Sequence, residues 1–197
     1  MNIKFYDYLL TLLKPLIIFF GKIGLPKRKF TGEHYFKYRD KINVGNIFLT
    51  KTDYEFSNLL NPCSIKHGAV YVGSIKNDEV KYVLEAVGKG VVLTDLVTFL
   101  TTKDLVICIE YKSSLKNSFN GLSKFVELVK GTPYDYLFNQ DGKSFYCYEL
   151  CADFIKECFP TVNLKSKEII KNKYIYDHET FLDNELFSII FDSRGNV

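Results

Sequence analysis

The chain has 197 residues, 47% of them hydrophobic and 16% aromatic, so it is long and apolar enough to bury a real core and reads as one domain. Its 26 basic and 23 acidic side chains leave a formal charge of +3, too balanced to indicate a nucleic-acid partner. Five cysteines, at 63, 108, 147, 151 and 158, form no close-spaced disulfide framework and are odd in number, which favours a reducing compartment.

Tyr8 to Phe20 is strongly apolar, but Lys14 and Pro15 interrupt it, and it falls short of the ~20 apolar residues that span a bilayer. Gly21-Lys-Ile-Gly-Leu-Pro26 offers no convincing cleavage site for a secretory signal. Two readings remain. The segment is a helix packed on the domain, or an interfacial one whose Lys22, Lys27, Arg28 and Lys29 meet anionic headgroups. Residues 1–43 are therefore expected to be a helical lead-in, and the localisation to be cytoplasmic or membrane-peripheral.

Gly32 to Lys41, polar and aromatic, is expected to cross the surface. Ile47 to Thr50 reads as a strand, and a loop containing Asn61-Pro62 delivers the chain to His67. His67 to Gly73 is β-branched and aromatic, Ser74 to Glu79 is turn-like, and Val80 to Ala86 resumes the strand pattern, which together predict a hairpin. A turn centred near Lys76 sets His67 directly opposite Glu85, with Cβ atoms roughly 5 Å apart. A slip of one residue would send the two side chains to opposite faces.

Gly88 to Leu93 continues as a turn and short strand, a short helix begins at Thr94-Asp95 and runs through Leu100, and Leu105 to Tyr111 is another strand. Asn117 to Lys130 carries Phe119, Leu122, Phe125, Val126 and Val129 at helical spacing, ended by Gly131 and Pro133. From Cys147 to Phe159, Leu150, Cys151, Phe154, Ile155 and Cys158 recur at three-to-four spacing, so Cys147 occupies the first turn of an amphipathic helix. Tyr174 to Tyr176 and Phe187 to Phe191 are short apolar runs suited to edge strands. The sum is an α+β fold, a mostly antiparallel sheet packed against helices.

A cysteine at a helix start, a histidine and a carboxylate are the three parts of a thiol nucleophile with its base and orienter. Free N–H groups and the positive end of the helix dipole favour a thiolate at Cys147, an imidazolium from His67 lowers its pKa further, and the same N–H groups can hold an oxyanion. Cys151, one turn on, competes as nucleophile but has fewer free N–H groups around it and reads as core. Cys63 with His67 and Cys147 with Cys151 have ligand-like spacings, weighed as a zinc site and set aside. His34 and His178 read as surface residues, and Glu149 as a cleft-lining or loop-bonding residue.

Val44-Gly-Asn-Ile-Phe-Leu-Thr50, His67-Gly-Ala-Val-Tyr-Val-Gly73, Val83-Leu-Glu-Ala-Val-Gly88, Gly131-Thr-Pro-Tyr-Asp-Tyr136 and Phe145-Tyr-Cys-Tyr-Glu-Leu150 follow one another in this order. Together they resemble the YiiX-like branch of circularly permuted NlpC-type, papain-like cysteine hydrolases over about residues 44 to 160. The resemblance implies a papain-like domain over 44–197, with Cys147 as nucleophile, His67 as base and Glu85 as the group orienting the imidazole. It sets Tyr134 and Asp135 near the substrate. Two positions depart from the family pattern: Asn46 where Asp is usual, and Tyr148 where Ser is usual, the latter reshaping the substrate pocket. The expected activity is amide cleavage through an acyl-enzyme, needing no metal or organic cofactor, on a peptide, an acylated amine or a lipid. The alternatives are lipid acyl transfer, with the apolar N-terminal segment making peripheral membrane contact, or a lipid- or peptide-binding module that keeps the cleft without turnover.

Overall fold

A computed structural model describes residues 8, 11–15, 29–53, 65–75, 79–112 and 121–195. In chain order its elements are helix α1 (Gly32–Tyr38) with a 3-10 turn (Arg39–Lys41), then strands β1 (Ile47–Lys51), β2 (His67–Gly73), β3 (Tyr82–Val87) and β4 (Gly90–Asp95). Helix α2 (Leu96–Thr101), β5 (Leu105–Tyr111), α3 (Leu122–Val129) and α4 (Cys147–Cys158) follow, then β6 (Lys167–Ile170), β7 (Lys173–Ile175), α5 (His178–Phe181) and β8 (Phe187–Asp192).

Six strands form one antiparallel sheet in the order β4-β3-β2-β1-β5-β8, and β6 and β7 pair separately. Both faces of the sheet are covered, which is why its strands read as near-continuous apolar runs. On one face Leu49, Val70, Leu84 and Ile107 pack against Leu150, Phe154 and Ile155 of α4 and Phe125 and Val126 of α3. On the other, Phe48, Ala69, Tyr71, Val83 and Cys108 pack against Phe99 and Leu100 of α2 and Phe30 and Tyr38 around α1.

Residues 32–41, expected to cross the surface, do so largely exposed, as α1 and its 3-10 turn. Tyr38 at the end of α1 is buried and stacks on Phe191, with ring centroids 4.3 Å apart. Tyr38, with Tyr35 partly buried beside it, holds the segment down, a signal too sparse to register as helical periodicity. The short helix expected from Thr94 starts at Leu96 instead, because Asp95 caps it by accepting from the Thr98 N–H at 2.8 Å and β4 keeps Thr94. His178, expected at the surface, is buried at the start of α5, where Asp177 caps the helix. Of the apolar run Tyr8–Phe20, Tyr8 and residues 11–15 are helical, Tyr8 and Leu12 are exposed (67% and 59%), and the Lys14 ammonium lies 5.0 Å from the Tyr136 ring centroid. The rest of that run, the loop with Cys63, and 117–120 of the expected helix lie outside the described residues.

The β2–β3 register puts Glu85 opposite Ala69, two residues along from the expected His67. A register shift between Tyr71 and Gly73 accompanies it, with Gly73 at φ +71. A two-residue displacement preserves the face, so His67 and Glu85 become diagonal neighbours, a distance long side chains bridge.

Candidate active site

His67 opens β2 opposite Thr50 of β1, and the approach to it is fixed by the Lys66 N–H donating to the Thr50 carbonyl at 2.9 Å. By strand alternation His67 shares a face with Ala69 and Tyr71, and its ring lies 6.1 Å from that of Phe99. Its Nε2 is 2.8 Å from Glu85 Oε2. Thr94 Oγ1 donates to the other carboxylate oxygen, Oε1, at 2.5 Å.

Cys147 is the first residue of α4, in the core on the other face of the sheet. Tyr146 precedes the helix in extended conformation, and its N–H donates to Glu149 Oε2 at 3.3 Å, closing the first turn. The Cys147 sulfur lies 4.0 Å from the Lys66 carbonyl oxygen, and His67 with the backbone N–H groups of Gly68 and Tyr148 acts on it to lower its pKa. With Nε2 committed to Glu85, Nδ1 is the ring nitrogen left for the sulfur.

The electrostatics follow from these contacts. Burial pushes the Cys147 thiol up, but the hydrogen bond and positive charge of His67, with the two N–H groups, outweigh it and hold the pKa below the usual thiol value. Burial pushes His67 down, yet its bonds to Cys147 and Glu85 raise it to about 9. For Glu85, burial raises the carboxyl and the His67 hydrogen bond and charge reverse this, leaving it at about 2. Each contact thus favours the charged form of its group, thiolate, imidazolium and carboxylate, and the three titrate as one coupled row. The other described thiols are inert by comparison: burial drives Cys108 and Cys151 far up and Cys158 to about 11.

The remaining residues singled out in the sequence have varied positions. Pro133 to Asp135 is tied to the residue before Tyr146, since the Phe145 N–H donates to the Pro133 carbonyl at 3.0 Å and the Asp135 N–H to the Phe145 carbonyl at 3.1 Å. This fastens Tyr134 beside the start of α4. Its hydroxyl is held protonated by burial and then by the negative charge of Cys147. Asp135 turns inward and is buried. Its carboxylate accepts the N–H groups of Leu137, Asn139 and Gln140, organising the loop where Phe138 and Gln140 have positive φ. Tyr148, expected in the substrate pocket, is only 3% exposed and donates its hydroxyl to the Ile65 carbonyl at 2.8 Å. Its ring fills the space a Cβ on Gly68 would need, 2.8 Å from the ideal position, so it braces the segment that carries His67. Asn46 is buried at the turn before β1, its Oδ1 accepting from the Asn43 N–H at 2.7 Å and from the Cys108 thiol at 3.7 Å.

Glu149, expected to line the cleft or bond a neighbouring loop, is buried in the first turn of α4, where it accepts the Tyr146 N–H and burial raises its carboxyl to about 8. Thr94, expected at the start of a helix, is the site residue that the sequence reading does not place. The signal that finds it is the tight β3–β4 turn, which pairs Val87 with Gly90 and therefore Glu85 with Val92, leaving Thr94 two residues further on the same face.

A family model described as a permuted papain-like amidase enzyme, YaeF/YiiX, C92 family, matches residues 41–186. A crystal structure of the metalloprotein YiiX from Escherichia coli O157:H7 is similar to this chain with a TM-score of 0.56 and 18% identity, covering 73% of this chain and 84% of that one. That likeness is one of fold. No curated protein matches the chain.

Proposed function

The chain belongs to the permuted papain-like amidases of the YaeF/YiiX, C92 family, and from this premise we propose that it cleaves an amide through an acyl-enzyme on Cys147, with His67 as proton carrier and Glu85 as orienter. The observation that carries the reading is the row of contacts from Cys147 through His67 to Glu85, in which the charged forms of all three are favoured.

The Cys147 thiolate attacks the carbonyl carbon, a C–S bond forms, and the carbonyl electrons move to oxygen. The N–H groups at the start of α4 and the protonated Tyr134 hydroxyl are the donors beside that oxygen. As the C–N bond breaks, the His67 imidazolium gives its proton to the departing amine. The neutral imidazole then takes a proton from water, which attacks the thioester and expels the thiolate, restoring the starting charges. Glu85 keeps its charge throughout and holds the ring in place. YiiX is described as a metalloprotein. Among the described residues of this chain no group of three or more His, Cys, Asp and Glu is arranged to hold a metal ion, so the residues do not fit one and no step is routed through it.

The test is mass spectrometry after limiting iodoacetamide near pH 6.5, followed by turnover of peptide anilides, acylated amines and acyl lipids. Cys147 should be labelled first, and a covalent acyl adduct should build up on it with a thioester substrate. Replacing His67 with Ala should slow labelling by at least about tenfold, since a shift of one pKa unit changes the thiolate fraction by that factor. Labelling that falls on another cysteine, or is indifferent to His67→Ala, overturns the reading.

A further inference from the structure

We propose that Thr94 is a positioning residue for this reaction: its hydroxyl locks the rotation of the Glu85 carboxylate so that one oxygen is always aimed at the His67 ring. The proposal rests on the reading of Cys147, His67 and Glu85 given above and adds a fourth member, which reaches the sulfur only through the other two.

The geometry is a diagonal across three adjacent strands. Glu85 on β3 lies opposite Ala69 of β2 and Val92 of β4. His67 is displaced from Ala69 by two residues and Thr94 from Val92 by two, so all three side chains leave the same face of the sheet. The carboxylate has two oxygens and each has one partner: Oε2 meets His67 Nε2 at 2.8 Å, and Oε1 accepts the Thr94 hydroxyl at 2.5 Å. A carboxylate on a Glu side chain turns easily about its last torsion. With Oε1 tied to a β-branched residue whose own χ1 is stiff, that rotation is blocked. Val cannot do this, because it matches Thr in shape and lacks the donor. Ser can, because it keeps the hydroxyl. The neighbouring cation, Lys103, is a different case: it acts on Glu85 through space, lowering its pKa by charge.

The experiment needs no substrate. The rate of Cys147 alkylation by iodoacetamide is measured near pH 6 for the wild type, Thr94→Val, Thr94→Ser, Glu85→Ala and the double variant Glu85→Ala with Thr94→Val, each with a thermal melt. Thr94→Val should be slower by about tenfold, the scale of one hydrogen bond to a charged group, and Thr94→Ser should react at the wild-type rate. In the Glu85→Ala background, Thr94→Val should change nothing further, because the group it positions is gone. Should Thr94→Val not fold, Thr94→Ala replaces it in the same comparison.

A Thr94→Val rate equal to wild type overturns the proposal, as does a Thr94→Ser as slow as Thr94→Val. A slowing that persists undiminished without Glu85 also overturns it, since a residue that merely supports β4 would behave that way. Failure of the functional reading looks different: there the wild type itself would not be labelled at Cys147.

Discussion

Glu85 carries an electrostatic burden that no sequence pattern announces. It is nearly buried beside an imidazole and is ionised because that imidazole is charged. Replacing it with Gln keeps the shape and one acceptor but removes the charge. The His67 pKa should then fall from about 9, and the alkaline edge of Cys147 reactivity should move down with it, read as the pH at which the alkylation rate changes. Stability follows the opposite pH axis. The folded pKa of Glu85 lies near 2, below its ordinary 4.5, so its contribution is present above pH 4.5 and is lost as the pH falls towards 2. Wild type and Glu85→Gln should therefore converge in melting temperature as the pH drops through that window. A constant gap between the two melting curves would mean that the carboxylate is not ionised through its contact with His67.

At the scale of elements, α4 and β2 are held together by a brace of unusual shape. The Tyr148 ring packs against Gly68, and its hydroxyl reaches on to Ile65, two residues before His67. A methyl group on Gly68 would sit 2.8 Å from Tyr148 Cδ1 and 3.2 Å from Cys151 Sγ. Gly68→Ala should cost about 1–3 kcal/mol by overpacking and also slow Cys147 alkylation, because the displaced ring drags the His67 segment with it. Urea denaturation and the alkylation rate measure the two effects, and a stability loss with unchanged alkylation would uncouple the brace from the site.

The same elements show what was legible beforehand. The nucleophile's helix, the two strands carrying His67 and Glu85, and the shared face of those residues could all be read from periodicity, since a register error of two residues leaves the face unchanged. The inward turn of Tyr148 could not be read. It depends on the absence of a side chain on a different strand, and no local pattern contains that information. Asp135 likewise reads as a polar cleft residue until the loop it organises is seen folded around it.

For the whole molecule, the decisive fact is that His67 lies on the sheet face covered by α2, beside Phe99, while Cys147 begins the helix packed on the other face, so both cores must be intact for the pair to meet. β8 serves both. Its partners on β5 show a register shift between Cys108 and Ile109, and across it Phe187 joins the core under α4 while Phe191 joins the one under α2. Four residues apart on an unbroken strand, they would share a face. Phe187→Ala and Phe191→Ala should each cost about 3–5 kcal/mol, and because they lie in separate cores the two costs should add in the double variant to within about 0.5 kcal/mol. Urea titration of the three variants checks this, and marked non-additivity would show that the two faces behave as one packing unit.

The order of the residues along the chain has a consequence in time. His67 and Glu85 belong to one hairpin, and Cys147 follows Glu85 by 62 residues. During synthesis at about 5–20 residues per second, base and orienter leave the ribosome seconds before the thiol they serve. The nascent protein therefore carries no activated nucleophile while strands β1 to β5 emerge. When Cys147 does emerge it has an ordinary thiol pKa until α4 docks, so the exposed sulfur is least reactive during the interval in which the unfinished chain is most open to oxidation and to stray electrophiles.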